Sequence, residues 1–211
     1  RRLAQRNREL GILYDVAFEG NRQITERRLA GIADLSVGKP LSSTEIEAAR
    51  QRILDYYLRR GFAYADVRLS VEPSPDRTRA RAKFTIAEHE IVIVTGFVVK
   101  GAKRTDEDLI LSRVALAKGL PYQQDAARLS EERIAQLGTF TSVALSLEDP
   151  DVPQRNKPVV VTVVEQLPQY LDPRVGFSTG EGVRFAFEYG HRNLGGRAIA
   201  GALRLQLAYL P

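Results

Sequence analysis

Two short runs that end in glycine stand 81 positions apart, and they constrain the fold more than any other feature of the chain. The first is Val16-Ala17-Phe18-Glu19-Gly20-Asn21, with a helix start at Thr25-Glu26. The second is Phe97-Val98-Val99-Lys100-Gly101-Ala102, with a helix start at Thr105-Asp106. Each is a β-like run stopped by glycine and followed by a polar N-cap residue. Self-similarity at such an interval marks one structural unit used twice.

The residues after each opening also correspond. Thr25 caps a short helix with Leu29, Ile32 and Ala33 as its apolar positions, and Gly38-Lys39-Pro40 turns the chain. Ser42 and Glu45 form a capping box for a longer helix over Glu45–Arg60. Ile46, Ala49, Ile53 and Tyr57 give that helix one apolar stripe, and Gly61 ends it. Val67, Leu69 and Val71 then alternate with Arg68, Ser70 and Glu72, a half-buried strand. After the turn Pro73-Ser74-Pro75-Asp76, Ala82, Phe84 and Ile86 alternate in the same way.

In the second copy Leu109, Ile110 and Val114 belong to the short helix, which Gly119 and Pro121 break. A longer helix near Asp125–Leu137 carries Ala126, Leu129, Ile134 and Leu137. Val143, Leu145 and Leu147 alternate with Ala144, Ser146 and Glu148. The run Val159–Val164 is apolar at nearly every position, which predicts a central strand covered on both faces. The order βααββ, twice, predicts an α+β fold in which two helices cover one face of each three-stranded sheet.

After Pro168 the helical signals stop and three β-like runs follow. Arg174–Ser178 places Val175 and Phe177 on one face. Gly182–Tyr189 places Val183, Phe185, Phe187 and Tyr189 opposite Arg184, Ala186 and Glu188. Ala198–Leu210 places Leu203, Leu205, Leu207 and Tyr209 opposite Arg204, Gln206 and Ala208. Thr179-Gly180-Glu181-Gly182 and Asn193-Leu194-Gly195-Gly196 read as the turns between them. This alternation suits tilted membrane strands of ~10 residues. A water-soluble antiparallel sheet alternates in the same way, so the pattern leaves both open. Three strands cannot close a barrel, and an open edge in lipid leaves backbone groups unpaired, so a barrel needs further strands.

Composition narrows the function classes. Hydrophobic residues make up 44% of the chain, enough for a core. Cys is absent, which excludes disulfides, thiolate metal sites and Cys nucleophiles. Met is absent even at position 1, and the chain is read as processed or as an excised piece. No signal-peptide core and no run near the ~18 apolar residues of a membrane helix occurs. The net charge of +5 arises in part from Arg1, Arg2, Arg6, Arg8, Arg50, Arg52, Arg59 and Arg60. Acidic residues are mixed throughout and no aromatic-interleaved basic stripe appears, so these are solvated faces and no nucleic-acid partner is expected.

No enzyme, cofactor or metal site is expected. His89 and His191 stand far apart, and no nucleophile elbow, phosphate-cradling loop or metal-spaced cluster occurs. Asp106-Glu107-Asp108 and Glu131-Glu132 read as first-turn or exposed helix acids.

Taken together, the segments resemble the outer-membrane protein assembly superfamily, the BamA- and TamA-like proteins. The two modules resemble its polypeptide-transport-associated (POTRA) domains. The matching residues are Val16-Ala17-Phe18-Glu19-Gly20-Asn21 with Thr25, Tyr57-Leu58-Arg59-Arg60-Gly61-Phe62 and the strand from Val67. In the second copy they are Val99-Lys100-Gly101 and Leu137-Gly138-Thr139-Phe140-Thr141-Ser142-Val143. Val175-Gly176-Phe177-Ser178-Thr179-Gly180-Glu181-Gly182-Val183-Arg184 is similar to the start of the family's membrane barrel. Arg192-Asn193-Leu194-Gly195-Gly196-Arg197 resembles its Asn-Leu-Phe-Gly-type turn, with Gly195 in place of the aromatic.

The resemblance implies a domain plan. Residues 1–10 are a linker or the end of an upstream module, 11–89 and 90–168 are POTRA-like domains, and 169–211 are the first strands of a transmembrane β-barrel. It implies an assembly factor of the bacterial outer membrane with its POTRA-like domains in the periplasm. Such a factor captures unfolded outer-membrane proteins by β-augmentation and helps insert them into the membrane.

The implied client-binding edges are Val67, Arg68, Leu69, Ser70, Val71 and Glu72, and Val143, Ala144, Leu145 and Ser146. The implied first barrel strand is Arg174, Val175, Gly176, Phe177 and Ser178, which opens laterally from the last strand. The implied partners are client proteins, outer-membrane lipid, and accessory lipoproteins or an inner-membrane partner. The competing readings are a two-partner secretion type translocator and a soluble periplasmic scaffold.

Overall fold

The computed structural model describes residues 9–76, 78–178 and 182–209. Arg1, Arg2, Arg6, Arg8, the turn residues Thr179-Gly180-Glu181 and Leu210 lie outside the described residues, as do the side chains of Phe177, Ser178 and Tyr209.

The first module runs β1 (Glu9–Glu19), α1 (Glu26–Ala33), β2 (Pro40–Ser42), α2 (Ser43–Arg59), β3 (Asp66–Pro73) and β4 (Arg79–Ala87). Its sheet has the order β2-β1-β4-β3, with β1 parallel and β3 antiparallel to β4. Thr25 Oγ1 accepts the Arg28 N–H, and Ser42 and Glu45 make the capping box reciprocally. With both helix starts fixed, Leu29, Ala33, Ile46, Ala49, Ile53 and Tyr57 are turned inward, and all six are buried. They meet Leu13, Phe18 and Phe84 from the sheet, the last two stacked at 5.6 Å between ring centroids. Strand β2 was not legible in the sequence, because three residues carry no period; it pairs with β1 through Pro40 and buries Leu41.

The second module runs β5 (Ile93–Lys100), α3 (Glu107–Leu111), α4 (Gln124–Ala135), β6 (Phe140–Leu147) and β7 (Asn156–Glu165), with the sheet order β5-β7-β6. The valine run is therefore central. Val159, Val161 and Val163 are buried; on the opposite face Val160 is buried, Thr162 is exposed and Val164 is 52% exposed, so that face is covered in part only. The inward stripe of α4 is Ala127, Ser130 and Ile134. Leu129, expected on that stripe, falls outside it and is exposed. Ser130 can occupy a core position because its hydroxyl donates to Ala126 O at 2.6 Å and accepts Ala115 N–H at 2.8 Å.

The repeat has a physical basis. Gly20 and Gly101 have φ of +85° and +91°, and a Cβ at either would collide with a carbonyl oxygen, that of Ile86 or of Val163. Only glycine allows the first strand of each module to end so close to its last strand. Two residues beyond each of those carbonyls stands a glutamate that holds the loop after the glycine. Glu88 accepts the Gln23 N–H at 2.9 Å and the Tyr57 hydroxyl at 2.7 Å. Glu165 Oε1 accepts the N–H groups of Lys103, Arg104 and Thr105 at 3.2, 3.0 and 2.8 Å.

The third sheet is an antiparallel meander of β8 (Gln169–Ser178), β9 (Gly182–Leu194) and β10 (Ile199–Tyr209), in the order β10-β9-β8. Strand β8 begins five residues before Arg174. Pro173 does not stop it, because β8 pairs on one side only among the described residues and a missing N–H is tolerated there. The chain divides into two compact units. One holds the residues up to Val94 with Lys118–Asp125 and Pro150–Lys157; the other holds Thr95–Ala117, Ala126–Asp149 and the residues from Pro158 on.

Candidate functional site

The two predicted capture strands, β3 and β6, are both sheet edges. In an antiparallel strand the N–H and C=O of one residue point to the same side, and the side alternates along the chain. Ser74 N–H bonds Arg79 O, so the even-numbered residues of β3 face β4 and Val67, Leu69 and Val71 present their backbone groups outward. Glu148 N–H bonds Pro158 O, so on β6 the outward residues are Val143, Leu145 and Leu147. The side chains of Arg68, Ser70, Glu72, Ala144 and Ser146 are exposed, and Arg68 pairs with Asp66 at 3.0 Å on the β3 edge.

Neither edge is wholly free. On β3, Arg50 from α2 donates to the carbonyl of Val67 at 3.4 Å, near the start of the strand. On β6, Glu131 from α4 accepts the N–H of Leu145 at 2.6 Å, in the middle of the outward row. Leu69 and Val71 have no such helix side chain on them in the described contacts. Sequence reasoning missed Arg50 and Glu131 in these roles, since charged residues on helix faces give no sign of reaching a strand.

The third sheet sorts its side chains into cross-strand rows. Leu171–Tyr189–Leu203, Pro173–Phe187–Leu205 and Val175–Phe185–Leu207 lie on one face. All of these side chains are exposed, Val175 and Leu207 to 74% and 73%. Asp172–Glu188–Arg204 and Arg174–Ala186–Gln206 lie on the other. There Glu188 accepts the Tyr170 hydroxyl at 3.0 Å and Arg204 Nε–H at 2.8 Å, and Arg174 pairs with Asp172. One face is thus a continuous apolar strip that packs against nothing in the described chain, and the other is satisfied by its own ion pairs. An uncovered strip of this kind is rare on a protein whose whole surface meets water.

The β9–β10 turn is fastened to the second module within the same compact unit. Asn193 is buried and its amide donates to Thr105 Oγ1 at 3.0 Å while its carbonyl oxygen accepts Ala198 N–H at 2.8 Å. Asp106 N–H bonds Gly196 O at 3.0 Å. Thr105 is also held from below through its N–H by Glu165. The first module has Ile24 and Thr25 where the second has Thr105 and Asp106; that polar-for-apolar exchange was the signal in the sequence for this contact. Thr25 caps its helix, whereas Asp106 makes no side-chain cap bond and Thr105 is turned to the turn residue instead.

The family described as POTRA, surface antigen variable number repeat, matches residues 13–89 and again 92–166. The outer membrane protein assembly factor BamA of Nitratidesulfovibrio vulgaris is 24% identical over 199 residues, which cover 91% of this chain and 25% of that protein. The chain therefore spans about a quarter of the length of this curated relative. BamA from Haemophilus ducreyi lacking POTRA domains 1–3 superposes with a TM-score of 0.79 at 15% identity, over 95% of this chain and 37% of that one. BamA POTRA3–5 of Haemophilus influenzae gives 0.63 at 15% identity, over 74% of this chain and 61% of that one. At such identity the two structures show a shared fold.

Proposed function

The chain belongs to the POTRA family, and from that premise we propose that it is the periplasmic and membrane-proximal part of an outer-membrane assembly factor. The two modules stand in the periplasm and the meander β8–β10 opens the membrane barrel. The observation that carries this reading is the uncovered apolar strip on β8–β10, joined directly to a tandem of modules in which β3 and β6 are sheet edges. Strand β9 has 13 residues, and at ~3.4 Å per residue and a tilt of ~45° it covers a hydrocarbon core of ~30 Å.

The modules act by binding, without a covalent step, and no cofactor is needed. An unfolded outer-membrane protein adds to the β3 edge as one more strand, and more weakly to β6. Main-chain hydrogen bonds give affinity without demanding a sequence. The charges of Arg68 and Glu72 on the β3 edge discourage two copies from pairing edge to edge. The outer side of β8 is where a closing strand pairs and where a client strand is templated; Gly176 weakens that strand, in keeping with an opening seam. Outer-membrane lipid covers the apolar strip, and accessory lipoproteins or an inner-membrane partner dock on the periplasmic modules.

Cysteines placed at Arg68 and Ser70 test the capture edge. An unfolded barrel peptide should label them several-fold faster than cysteines on the outer faces of α1 and α2. Equal labelling at strand and helix sites would remove the β-augmentation reading. A disulfide from β8 to the closing strand of the barrel should abolish client insertion if the seam opens.

A further inference from the structure

Resting on that capture reading, we propose that Glu131 is a built-in stopper of the β6 edge, so that the two modules are unequal and an added strand meets an open edge on β3 and a closed one on β6. A strand that augments β6 has to accept the outward N–H of Leu145, the central donor of Val143, Leu145 and Leu147. The Glu131 carboxylate already accepts it at 2.6 Å, a short, charge-assisted bond. The carboxylate also occupies the space where the incoming main chain would run, and it sets a negative charge beside the incoming carbonyl oxygens.

On β3 the corresponding contact is weaker and peripheral. Arg50 reaches the Val67 carbonyl at 3.4 Å, near the strand start, and is itself shared with Glu47 at 2.6 Å. The Leu69 and Val71 groups beyond it lie clear of both helices' charged side chains in the described contacts. The occupant that fits is an extended chain segment, because only a main chain repeats donors and acceptors at the spacing of a strand edge. The second module therefore takes up such a segment only after Glu131 swings away. Glu131 lies on a partly exposed face of α4, so that movement needs no unfolding.

These 211 residues contain no cysteine, so each reporter is unique within them, and any cysteine elsewhere in the full-length protein is replaced by serine. The experiment uses the natural full-length protein in lipid nanodiscs, with Ser146→Cys on β6 or Ser70→Cys on β3, and a synthetic peptide of alternating valine and threonine carrying a bromoacetyl group. With Glu131→Ala, labelling at position 146 should rise about tenfold, the factor equivalent to one charge-assisted bond of ~1.4 kcal/mol, and labelling at 70 should not change. The Leu145 amide should exchange faster with deuterium in Glu131→Ala, while that of Val163 in the central strand stays as slow as before, which shows an intact fold. If position 70 labels and neither position 146 nor the Leu145 amide responds to Glu131→Ala, the stopper is refuted and the capture reading stands. If neither 70 nor 146 labels above helix-face controls in any variant, the capture reading fails and the stopper falls with it.

Discussion

Asn193, in the turn after β9, donates its side-chain amide to the hydroxyl of Thr105 at 3.0 Å, across 88 positions of sequence. Both residues are buried. The third sheet is thus tied to the second module at two points: by the chain itself through Gln166–Pro168, and by this turn. A single tether would let the module swivel about the connection, and a second one removes that freedom.

Thr105→Val should therefore cost ~1–3 kcal/mol, because it leaves the Asn193 amide buried without an acceptor; Thr105→Ser should restore most of the loss. Gly196→Ala should loosen the same junction by another route. Gly196 has φ of +77°, and an added Cβ would lie 2.8 Å from Arg104 O. Deuterium exchange at the amides of Asp106 and Ala198 reads both effects. Unchanged exchange in Thr105→Val and Gly196→Ala would show that the turn is not fastened.

Acid should release the same junction. Glu165 is partly desolvated, which acts to raise its pKa, but the Arg104 N–H, the Thr105 hydroxyl and the N–H groups of Thr105 and Lys103 outweigh this and hold it below the usual carboxylate range. A depressed folded pKa contributes stability that is complete above the unfolded pKa, near 4.5, and is lost as pH falls through the lower folded value. The Thr105 amide should exchange faster, beyond the intrinsic pH effect, once pH drops below that range. In Glu165→Gln this pH step should be absent and the loop looser throughout.

How far the sequence disclosed these features depended on periodicity. The stripe of α2 and the alternation of β4 were readable because each repeats its pattern over several turns or pairs, and Ser42 with Glu45 marked the start of the helix. The Leu129 expectation failed because α4 buries a small residue and a hydroxyl, Ala127 and Ser130, which apolar counting passes over. Strand β2 was too short to show a period. Strand β8 was cut short at Pro173, since a proline reads as a stop until the strand is known to lie at an edge. The outward backbone rows of β3 and β6 followed from topology, but Arg50 and Glu131 reaching onto them depended on helix-to-strand placement that no local pattern encodes.

The second module's core carries two hydroxyls of opposite worth. Ser130 satisfies Ala115 N–H, so Ser130→Ala should destabilise by ~1–2 kcal/mol. Thr139 is 3% exposed and its hydroxyl has no hydrogen-bond partner among the described residues, so Thr139→Val should be neutral or stabilising by up to ~1 kcal/mol. Chemical denaturation of the two variants checks the signs. A loss in Thr139→Val equal to that in Ser130→Ala would mean the two hydroxyls are equivalent.

The assignment of β8–β10 to the membrane is tested by exchanging charge between its faces. Phe187 lies in the apolar row between Pro173 and Leu205, and Gln206 lies in the opposite row with Ala186 and Arg174. With the apolar face in lipid, Phe187→Arg places a cation near mid-depth and should cost ~2–4 kcal/mol of folded, inserted protein. Gln206→Arg adds the same charge to a face that already carries Arg174, Arg204 and Glu188 and should be tolerated. Folding into vesicles, followed by the resistance of the sheet to proteolysis, separates the two variants. Equal tolerance would place the Phe and Leu rows in water, and equal failure would place both faces in a packed interior; either result removes the membrane strand from the account.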